Sequence, residues 1–428
     1  MVDDNIDDAD HIELGTYPDG YPARLTRNDR RRHLYIIGKT GTGKSTLLFN
    51  LMLSDLERGH GFALLDPHGD LATMIADAVP AWRTNDVIYL DPSDLEHPVG
   101  FNPLHDVPFD HRPLVAAHIV AAFMHVWGGS LADWPRLTYF LTNGLRLLLD
   151  APGSTLLGLP RLLVDEPYRK RLLSHTRDPM VRAFWEIEFA HLPDRDAAQA
   201  VMPIQNKIGT LLSPPTLRNM LGQTRSTIDV RRIMDNGQVL IVNLAKGKLG
   251  ETPTHLLGAF LATAFAQAAE ARADTPENKR RDFTLYADEF QHFATDSFAS
   301  ILSEARKYRL SLVLAHQFLG QLSPLLRQAV IGNAGSILAF RLGAEDAPLI
   351  AAELGIESKS ALTDTANFAL WSKLLNDGVP CDPRPIATLP PNPLASGRFD
   401  AVRNRSRART TRPRATIERK IARFLAGT

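Results

Sequence analysis

The chain has 428 residues, of which 44% are hydrophobic and 22% are charged, and its 48 lysines and arginines balance its 48 aspartates and glutamates. This composition excludes a wholly disordered protein and leaves room for one large core with an insertion or for two domains. A single cysteine, Cys381, excludes a disulfide framework and fits a reducing compartment. With neither a signal peptide nor an apolar run of the roughly 18 to 20 residues that a membrane span needs, we expect a soluble, cytoplasmic protein.

The charge is unevenly distributed along the chain. The first thirteen residues carry six acidic side chains and no lysine or arginine, whereas residues 398–423 carry ten basic side chains against Asp400 and Glu418. The basic C-terminal segment suits contact with a nucleic-acid backbone or an anionic membrane surface. The alternative is a solvated, disordered end.

Residues 38–45 read G-x-x-x-x-G-K-S, the phosphate-binding loop of P-loop NTPases. The motif stands between an apolar strand, Leu34–Ile37, and a helix over Thr46–Arg58 that ends at Gly59. Glycines let backbone N–H groups surround phosphate oxygens, Lys44 can reach the β- and γ-phosphates, and the Ser45 hydroxyl can hold Mg²⁺. The residues expected to bind the nucleotide are Gly38, Thr40, Gly41, Thr42, Gly43, Lys44, Ser45 and Thr46.

Short apolar runs with the length and branched side chains of buried parallel strands recur along the chain. They are Leu34–Ile37, Phe62–Leu65, Val87–Leu90, Val239–Val242, Phe283–Ala287, Leu310–Leu314, Ile337–Phe340 and Phe368–Trp371. Helical patterns separate many of them, including an amphipathic helix from Phe298 to Tyr308, so we expect an α/β fold with a mostly parallel central sheet.

The strand signal disappears between about residues 110 and 235, where Leu114–Val126, Leu137–Leu149 and Pro179–Ala190 are helical by period. This pattern predicts an all-helical insertion in a RecA-like P-loop ATPase. The predicted segments are an acidic N-terminal segment and lead-in (1–33), the first part of the ATPase domain (34–109), the insertion (110–235), the second part of the ATPase domain (236–390) and an arginine-rich C-terminal tail (391–428).

The strand Phe283–Ala287 ends in two acids, Asp288 and Glu289. In RecA-like ATPases such a pair divides the work: we expect Asp288 to act on Mg²⁺ and Glu289 to orient and polarise the attacking water. The next strand leads into His316 and Gln317, and a polar side chain there can reach the γ-phosphate. Gln317 is the candidate sensor, with His316 as a second candidate.

A second subunit commonly completes a site of this kind by supplying an arginine that stabilises charge in the transition state. The two candidates are Arg306 and Arg341, of which Arg306 is favoured. The alternative for either is a surface or interface ion pair.

Together these motifs resemble the HerA/FtsK superfamily of DNA-translocating ATPases, and within it the type IV secretion and conjugative coupling proteins and their soluble relatives. The resemblance covers residues 33 to 390. It rests on the loop 38–45, on L-D-P-H-G-D-L at 65–71, F-N-P-L at 101–104, Y-A-D-E-F at 286–290, A-H-Q at 315–317 and F-R-L-G at 340–343.

The resemblance implies a homo-hexameric ring that threads DNA through its pore, powered by ATP with Mg²⁺. It implies Lys44 and Ser45 as nucleotide ligands, Glu289 as the catalytic acid, Gln317 as the sensor and Arg306 as the arginine supplied in trans. Asp66 has two open roles, near the metal or in organising its turn. Membrane-bound coupling proteins carry N-terminal transmembrane helices and this sequence shows none, so export through a secretion channel would need another subunit as its membrane anchor.

A translocase grips phosphates without reading bases, so its pore loops should offer lysine, arginine and backbone N–H groups. The loop after Val239–Val242 is basic, and we expect Lys246 and Lys248 to contact DNA. Residues 206–209, Arg218 and Asn219 are further candidates. An ordinary solvated loop is the alternative for Lys246 and Lys248.

The function expected from the sequence is that of an ATP-driven DNA translocase, with DNA-stimulated ATP hydrolysis. One alternative is a secretion-system ATPase that moves protein substrates. The other is an ATP-binding scaffold that assembles a nuclease or defence effector. A nuclease, a relaxase or a secretion channel is the expected kind of partner.

Overall fold

The computed structural model describes residues 11–129, 133–295, 298–391 and 396–427. The acidic side chains at positions 3–10 lie outside these ranges. The chain forms two compact units. The sheet unit comprises the residues up to 90 together with 230–245 and 264–406, and the helical unit comprises 91–229, 246–263 and 407–428.

All strands of the described residues lie in the sheet unit. They are β1 (His11–Thr16), β2 (Pro22–Thr26), β3 (Leu34–Ile37), β4 (Gly61–Asp66), β5 (Val87–Leu90), β6 (Val239–Asn243), β7 (Phe283–Ala287), β8 (Leu310–His316), β9 (Ser336–Ala339), β10 (Ala369–Lys373), β11 (Leu375–Asn376), β12 (Val379–Pro380) and β13 (Arg384–Thr388).

The α-helices occur in both units. They are α1 (Arg27–Arg30), α2 (Lys44–Glu57), α3 (Asp70–Asp77), α4 (Arg112–Trp127), α5 (Pro135–Asp150), α6 (Gly158–Val164), α7 (Glu166–Leu173), α8 (Pro179–Ala183), α9 (Asp194–Leu212), α10 (Pro215–Leu221), α11 (Val230–Asn236), α12 (Lys246–Leu249), α13 (Glu251–Glu270), α14 (Phe298–Glu304), α15 (Pro324–Asn333), α16 (Ala347–Leu354), α17 (Ser360–Thr363), α18 (Phe399–Thr410) and α19 (Arg414–Ala426).

The main sheet has eleven strands in the order β2-β1-β13-β10-β9-β3-β8-β7-β4-β6-β5. The seven strands from β9 to β5 are parallel, and the four from β2 to β10 are antiparallel to their neighbours. Most of the parallel strands are buried along their whole length, as their continuous apolar runs require. The α/β fold with a mostly parallel sheet is therefore confirmed.

The antiparallel edge is where the sequence prediction was wrong. The run predicted as the parallel strand Phe368–Trp371 starts one residue later, as β10, and pairs antiparallel with both β9 and β13. Strands β1 and β2 lie in the segment predicted as a lead-in, and β1 pairs with β13. Polar residues such as Glu13 and Arg24 interrupt these edge strands, so they lack the apolar run on which the prediction relied.

The helical unit contains most of the predicted insertion, and its described residues form no strand. Helices α4 and α5 match two predicted helices, whereas the third is α-helical only to Ala183 and continues as a π-helix over Phe184–Glu188. Its Trp185 is buried, and its indole N–H donates to the Asn143 carbonyl over 3.2 Å. The unit begins at residue 91 rather than 110, and it also takes in 246–263 and the C-terminal residues.

The arginine-rich C-terminal segment is folded. Residues 399–410 and 414–426 form α18 and α19, and Val402, Ile417 and Ile421 are buried. Several of its arginines are paired with acids, for example Arg407 with Asp94 at 2.7 Å. A disordered end is therefore wrong for residues 396–427. None of the described helices is long and apolar enough to cross a membrane.

Candidate functional site: a phosphate loop at the carboxyl edge of the sheet

The loop 38–45 connects β3 to α2, as its motif predicts, and it has the backbone of a phosphate cradle. Gly41 and Gly43 have φ values of 76° and 119°, which side chains other than glycine rarely adopt. The Lys44 ammonium is buried and donates to the carbonyls of Gly38 and Lys39, over 2.6 and 3.2 Å. The Thr42 hydroxyl also donates to the Lys39 carbonyl, over 2.7 Å. The conformation of the loop is thus fixed by its own hydrogen bonds.

The beginning of the loop is fixed by the neighbouring strands. The Gly38 N–H donates to the His316 carbonyl over 3.3 Å, and the Lys39 N–H donates to the Arg341 carbonyl over 2.9 Å. A Cβ atom at Gly38 would lie 2.5 Å from the Cβ of Phe340, so only glycine fits there. Of the remaining predicted ligands, Thr40 and Ser45 are exposed and Thr46 is half-buried.

Asp288 and Glu289 directly follow β7, whose carboxyl end lies beside that of β8. Both are 5% exposed. Burial, together with the nearby charges of Asp66 and Glu289, raises the pKa of Asp288 to about 7, although Lys44 acts in the opposite direction. Glu289 has φ 45°, a backbone conformation uncommon for residues other than glycine and concentrated at functional sites.

The carboxylate of Glu289 is held by two amides. Gln317, at the end of β8, donates from Nε2 to Oε1 of Glu289 over 3.0 Å. Gln291 donates from Nε2 to Oε2 over 2.8 Å. Sequence reasoning predicted Gln317 as a site residue and missed Gln291, because only the 3₁₀ turn Phe290–His292 brings that side chain back towards Glu289. The two bonds fix the orientation of the acid.

Asp66, at the end of β4, organises its own turn. Its Oδ1 accepts from the His68 N–H over 2.9 Å, and its Oδ2 accepts from the Ala72 N–H over 2.8 Å. These bonds pair N–H groups at and just before the first turn of α3, and they leave the Asp66 carboxylate near Asp288. His68 is exposed. Of the two roles left open for Asp66, the structure directly supports the one in which Asp66 organises its turn.

His316 is the last residue of β8 and lies in the interior of the sheet unit. It is fully buried, hydrogen-bonds the Tyr35 hydroxyl through Nε2 and packs edge-on against Phe290. Burial, followed by the charge of Lys44, lowers the pKa of His316 to about 3, so its ring is neutral at physiological pH. These contacts fit a supporting position beneath the site better than a sensor.

Phe368 is a site residue that sequence reasoning missed. Its N–H donates to the Thr42 carbonyl over 2.8 Å, and a Cβ atom at Gly43 would lie 3.0 Å from its ring. The side chain is 47% exposed and has φ 59°. The antiparallel strand β10 carries it to the loop, so no pattern within the motif could have indicated it.

The two candidate arginines lie at opposite ends of β3. Arg341 follows β9 and joins the phosphate loop through its carbonyl. Arg306 is exposed and lines a cavity of about 460 Å³ with Arg32 and His33, where β3 begins. Burial, with the charge of Arg306 acting in the same direction, lowers the pKa of His33 to about 4. The structure therefore does not bring Arg306 together with Lys44 and Glu289 of the same chain.

Lys246 and Lys248 belong to the helical unit, where they form the one-turn helix α12. The Lys246 ammonium is 2.8 Å from a carboxylate oxygen of Glu251, and Lys248 is exposed. Lys248 is thus the more available of the two cations, and DNA contact by either stays a prediction.

The residues of the sheet unit fit a magnesium nucleotide. Asp288 and Glu289 lie close enough to the buried Lys44 to interact with its charge, and burial, with the charges of Asp66 and Glu289 adding to it, raises the pKa of Asp288 to about 7. A divalent cation would favour the ionised carboxylate instead. The Ser45 hydroxyl and the Asp288 carboxylate are oxygen donors of the kind that Mg²⁺ takes, with phosphates and water as its other ligands.

Comparisons with known proteins agree with this geometry. A family model described as the central domain of helicase HerA matches residues 12–115. The fold also matches the plasmid coupling protein TrwB in complex with ADP and Mg²⁺, with a TM-score of 0.63 and 16% identity, over 90% of this chain and 92% of that chain. The chain therefore shares the RecA-like P-loop fold of TrwB, and its residues 12–115 resemble the central domain of helicase HerA.

The fold also matches VirB4 of Thermoanaerobacter pseudethanolicus, with a TM-score of 0.62 and 14% identity, over 91% of this chain and 98% of that chain. TrwB has also been solved with the ATP analogue ADPNP, with a TM-score of 0.60 and 17% identity, over 88% of this chain and 89% of that one. No curated protein matches this sequence. The expected resemblance to conjugative coupling proteins is confirmed at the level of the fold.

Proposed function

We propose that the chain is an ATP-driven DNA translocase that acts as a homo-hexameric ring. The observation that carries the proposal is the arrangement around Glu289, whose carboxylate is oriented by Gln317 and Gln291 beside the buried Lys44. A site that only holds a nucleotide has no need of an oriented, buried acid. The choice of DNA as the substrate rests on the fold shared with plasmid coupling protein TrwB.

In the proposed reaction Lys44 exchanges its backbone carbonyl partners for phosphate oxygens. Ser45 and Asp288 would hold Mg²⁺, which neutralises phosphate charge when bound. Glu289 orients the attacking water and accepts its proton, and Gln317 links this acid to the end of β8. Movement of Gln317 towards the γ-phosphate would release Oε1 of Glu289 only when the triphosphate is present.

The arginine of the site would come from a neighbouring subunit. Arg306 lies with His33 at the beginning of β3, whereas the phosphate loop follows the end of that strand. It therefore cannot serve the nucleotide of its own chain, yet it is exposed and free to reach another. Arg341 already lies beside its own loop, which makes it the alternative that acts in cis.

The test is the rate of ATP hydrolysis with and without linear double-stranded DNA. We expect DNA to increase the rate of ATP hydrolysis several-fold. Glu289→Gln should lower this rate by about 10²–10⁴-fold. Glu357→Gln, which changes an exposed acid far along the chain, is the matched control and should leave the rate unchanged. Turnover indifferent to DNA would favour a protein-moving secretion ATPase, and negligible turnover would favour an ATP-binding scaffold.

The trans position of Arg306 has its own test. Arg306→Ala and Glu289→Gln should each be inactive alone, because each lacks one component of every site. Mixed in equal amounts, they should regain about a quarter of wild-type activity, since that share of random interfaces pairs an intact acid with an intact arginine. No recovery on mixing, with rings still forming, would favour Arg341.

A further inference from the structure

The helical unit contains a cleft of about 610 Å³ that the nucleotide chemistry does not use. One wall is the loop 222–227 and the other is the end of α18 with α19. Its charged lining is entirely basic: Arg225, Arg409, Arg412 and Lys420. No aspartate or glutamate of the described residues lines it. We call this feature the cationic cleft.

Three of its cations are uncompensated. Arg225, Arg412 and Lys420 are exposed and have no ion-pair or hydrogen-bond partner within the part of the chain that the structure describes. Other arginines of the same C-terminal segment are neutralised. Arg407 pairs with Asp94 at 2.7 Å, and Arg414 pairs with Glu96 at 3.0 Å. Arg407 and Arg414 are thus neutralised, whereas Arg412 and Lys420 of the same segment are not, and both line the cleft.

The loop wall is rigid before any ligand arrives. The Ser226 hydroxyl accepts from the Asn102 N–H over 3.0 Å, and the Thr227 hydroxyl accepts from the Gly100 N–H over 3.0 Å. The Thr227 N–H also donates to the Gly100 carbonyl over 2.8 Å. Arg225 is therefore presented from a fixed backbone, which lowers the entropic cost of binding.

The helical wall is fixed equally well. The Arg161 guanidinium donates to the Phe424 carbonyl over 2.6 Å and lies 5.2 Å from the centre of the Phe424 ring. The Asn219 amide donates to Glu418 over 3.2 Å. Between the cations, this wall is lined by the half-buried Phe424 and by the largely covered side chains of Ile417 and Ile421. The cleft therefore combines fixed positive charge with a surface on which a flat apolar group can lie.

We propose that the cationic cleft binds single-stranded nucleic acid, with Arg225, Arg412 and Lys420 on phosphates and bases against the apolar wall. The proposal deepens the proposed function and rests on it for the choice of nucleic acid among phosphate-bearing ligands. Clustered unpaired cations beside apolar surface are the elements that bind single strands without sequence preference. The volume is that of a small-molecule site, enough for one or two nucleotides and too small to enclose a duplex.

The test is binding of a fluorescent twelve-nucleotide single strand to the full chain, measured by anisotropy without nucleotide. We expect the triple variant Arg225→Gln, Arg412→Gln, Lys420→Gln to bind about ten- to a hundredfold more weakly at low salt. The slope of log affinity against log salt should fall by about 2, since each lost phosphate contact removes about 0.7. The matched control is Arg177→Gln, Arg195→Gln, Arg419→Gln, three exposed cations outside the cleft that carry the same change in charge.

The control should bind within twofold of the wild type, and a duplex of the same length should be less sensitive to the cleft variant than the single strand. Equal losses in both triple variants, or none in the cleft variant, would overturn the proposal. If the cleft variant binds normally while DNA still stimulates ATP hydrolysis, only this inference fails. If the wild type binds no strand and DNA does not stimulate hydrolysis, the proposed function fails with it.

Discussion

The nucleotide site and the cationic cleft use charge in opposite ways. Around the phosphate loop the charges are buried and of both signs: Lys44 is 6% exposed, and Asp288 and Glu289 are each 5% exposed. In the cleft the charges are exposed and of one sign. Buried charges of opposite sign hold side chains in defined positions for a reaction, because a charge buried in the protein without its partner is strongly unfavourable. Exposed cations each contribute a small, salt-dependent amount, which suits a polymer that must be held and then released.

The largest effect should come from removing the buried cation. Lys44→Ala should lower kcat for ATP hydrolysis by about 10²–10³-fold, because a preorganised donor at the phosphates is lost. Lys39→Ala is the matched control, since Lys39 lies in the same loop with an exposed side chain. Steady-state hydrolysis assays compare the two, and similar losses in both would show that the loop's net charge matters rather than the position of Lys44.

Next in size is the effect of the amide that orients Glu289. Gln317→Ala should lower kcat by about 10- to 100-fold with little change in KM, because it removes a contact to Glu289, the proposed catalytic acid, and its link to β8. Gln291→Ala also removes a bond to Glu289, but this bond is to the other carboxylate oxygen, and Gln291 does not lie at the end of a strand. It should cost less. Equal losses would contradict a sensing role for Gln317.

A smaller effect concerns a buried histidine. Burial, with Arg306 adding to it, lowers the pKa of His33 to about 4, below its ordinary value of about 6.5. A base with a depressed pKa in the folded state contributes stability above pH 6.5, and that stability is lost as pH falls towards 4. Between pH 7.5 and 5.0 this amounts to about 2 kcal/mol.

Melting temperatures at the two pH values test this point. His33→Asn, which tolerates the positive φ of 67° at this position, should show a smaller fall on acidification than the wild type. His316, whose pKa is also low, is unchanged in both proteins and cancels in the comparison. An identical fall in the two proteins would mean that His33 does not titrate in this range.

The smallest effect should be on the stability of the cleft variant. Replacing Arg225, Arg412 and Lys420 by glutamine removes no described contact, so the melting temperature should stay within about 2 °C of the wild type. A higher melting temperature would show that these cations repel one another, which would strengthen the contrast between the cleft and the nucleotide site. A large fall would mean that they are structural, and weak nucleic-acid binding would then need another explanation.

The sequence predicted which residues meet beside the phosphate loop because they follow apolar strands, and their roles stay predictions. Once β3, β7 and β8 are parallel neighbours, the residues after Ile37, Ala287 and His316 must meet at one edge of the sheet. Lys44 could therefore be placed from the phosphate-loop motif after β3, and Glu289 and Gln317 from the ends of β7 and β8. Gln291 and Phe368 could not, because a 3₁₀ turn and an antiparallel strand bring them in.

The cationic cleft could not be predicted for a different reason. The sequence shows a run of arginines, but only the folded chain shows that Arg407 and Arg414 have acidic partners while Arg412 has none among the residues that the structure describes. The helical pattern of α18 is weak because most of its residues are polar. Arg225 lies far away in the sequence, on a loop of the helical unit.

The central claim, ATP-driven movement along DNA, is tested most directly by displacement of a third strand from linear double-stranded DNA. A triplex-forming oligonucleotide bound to the DNA is released when a motor moves through its site, and release is followed by fluorescence. We expect release by the wild type with ATP and none by Glu289→Gln or with a non-hydrolysable analogue. ATP hydrolysis stimulated by DNA without any release would contradict translocation by this chain.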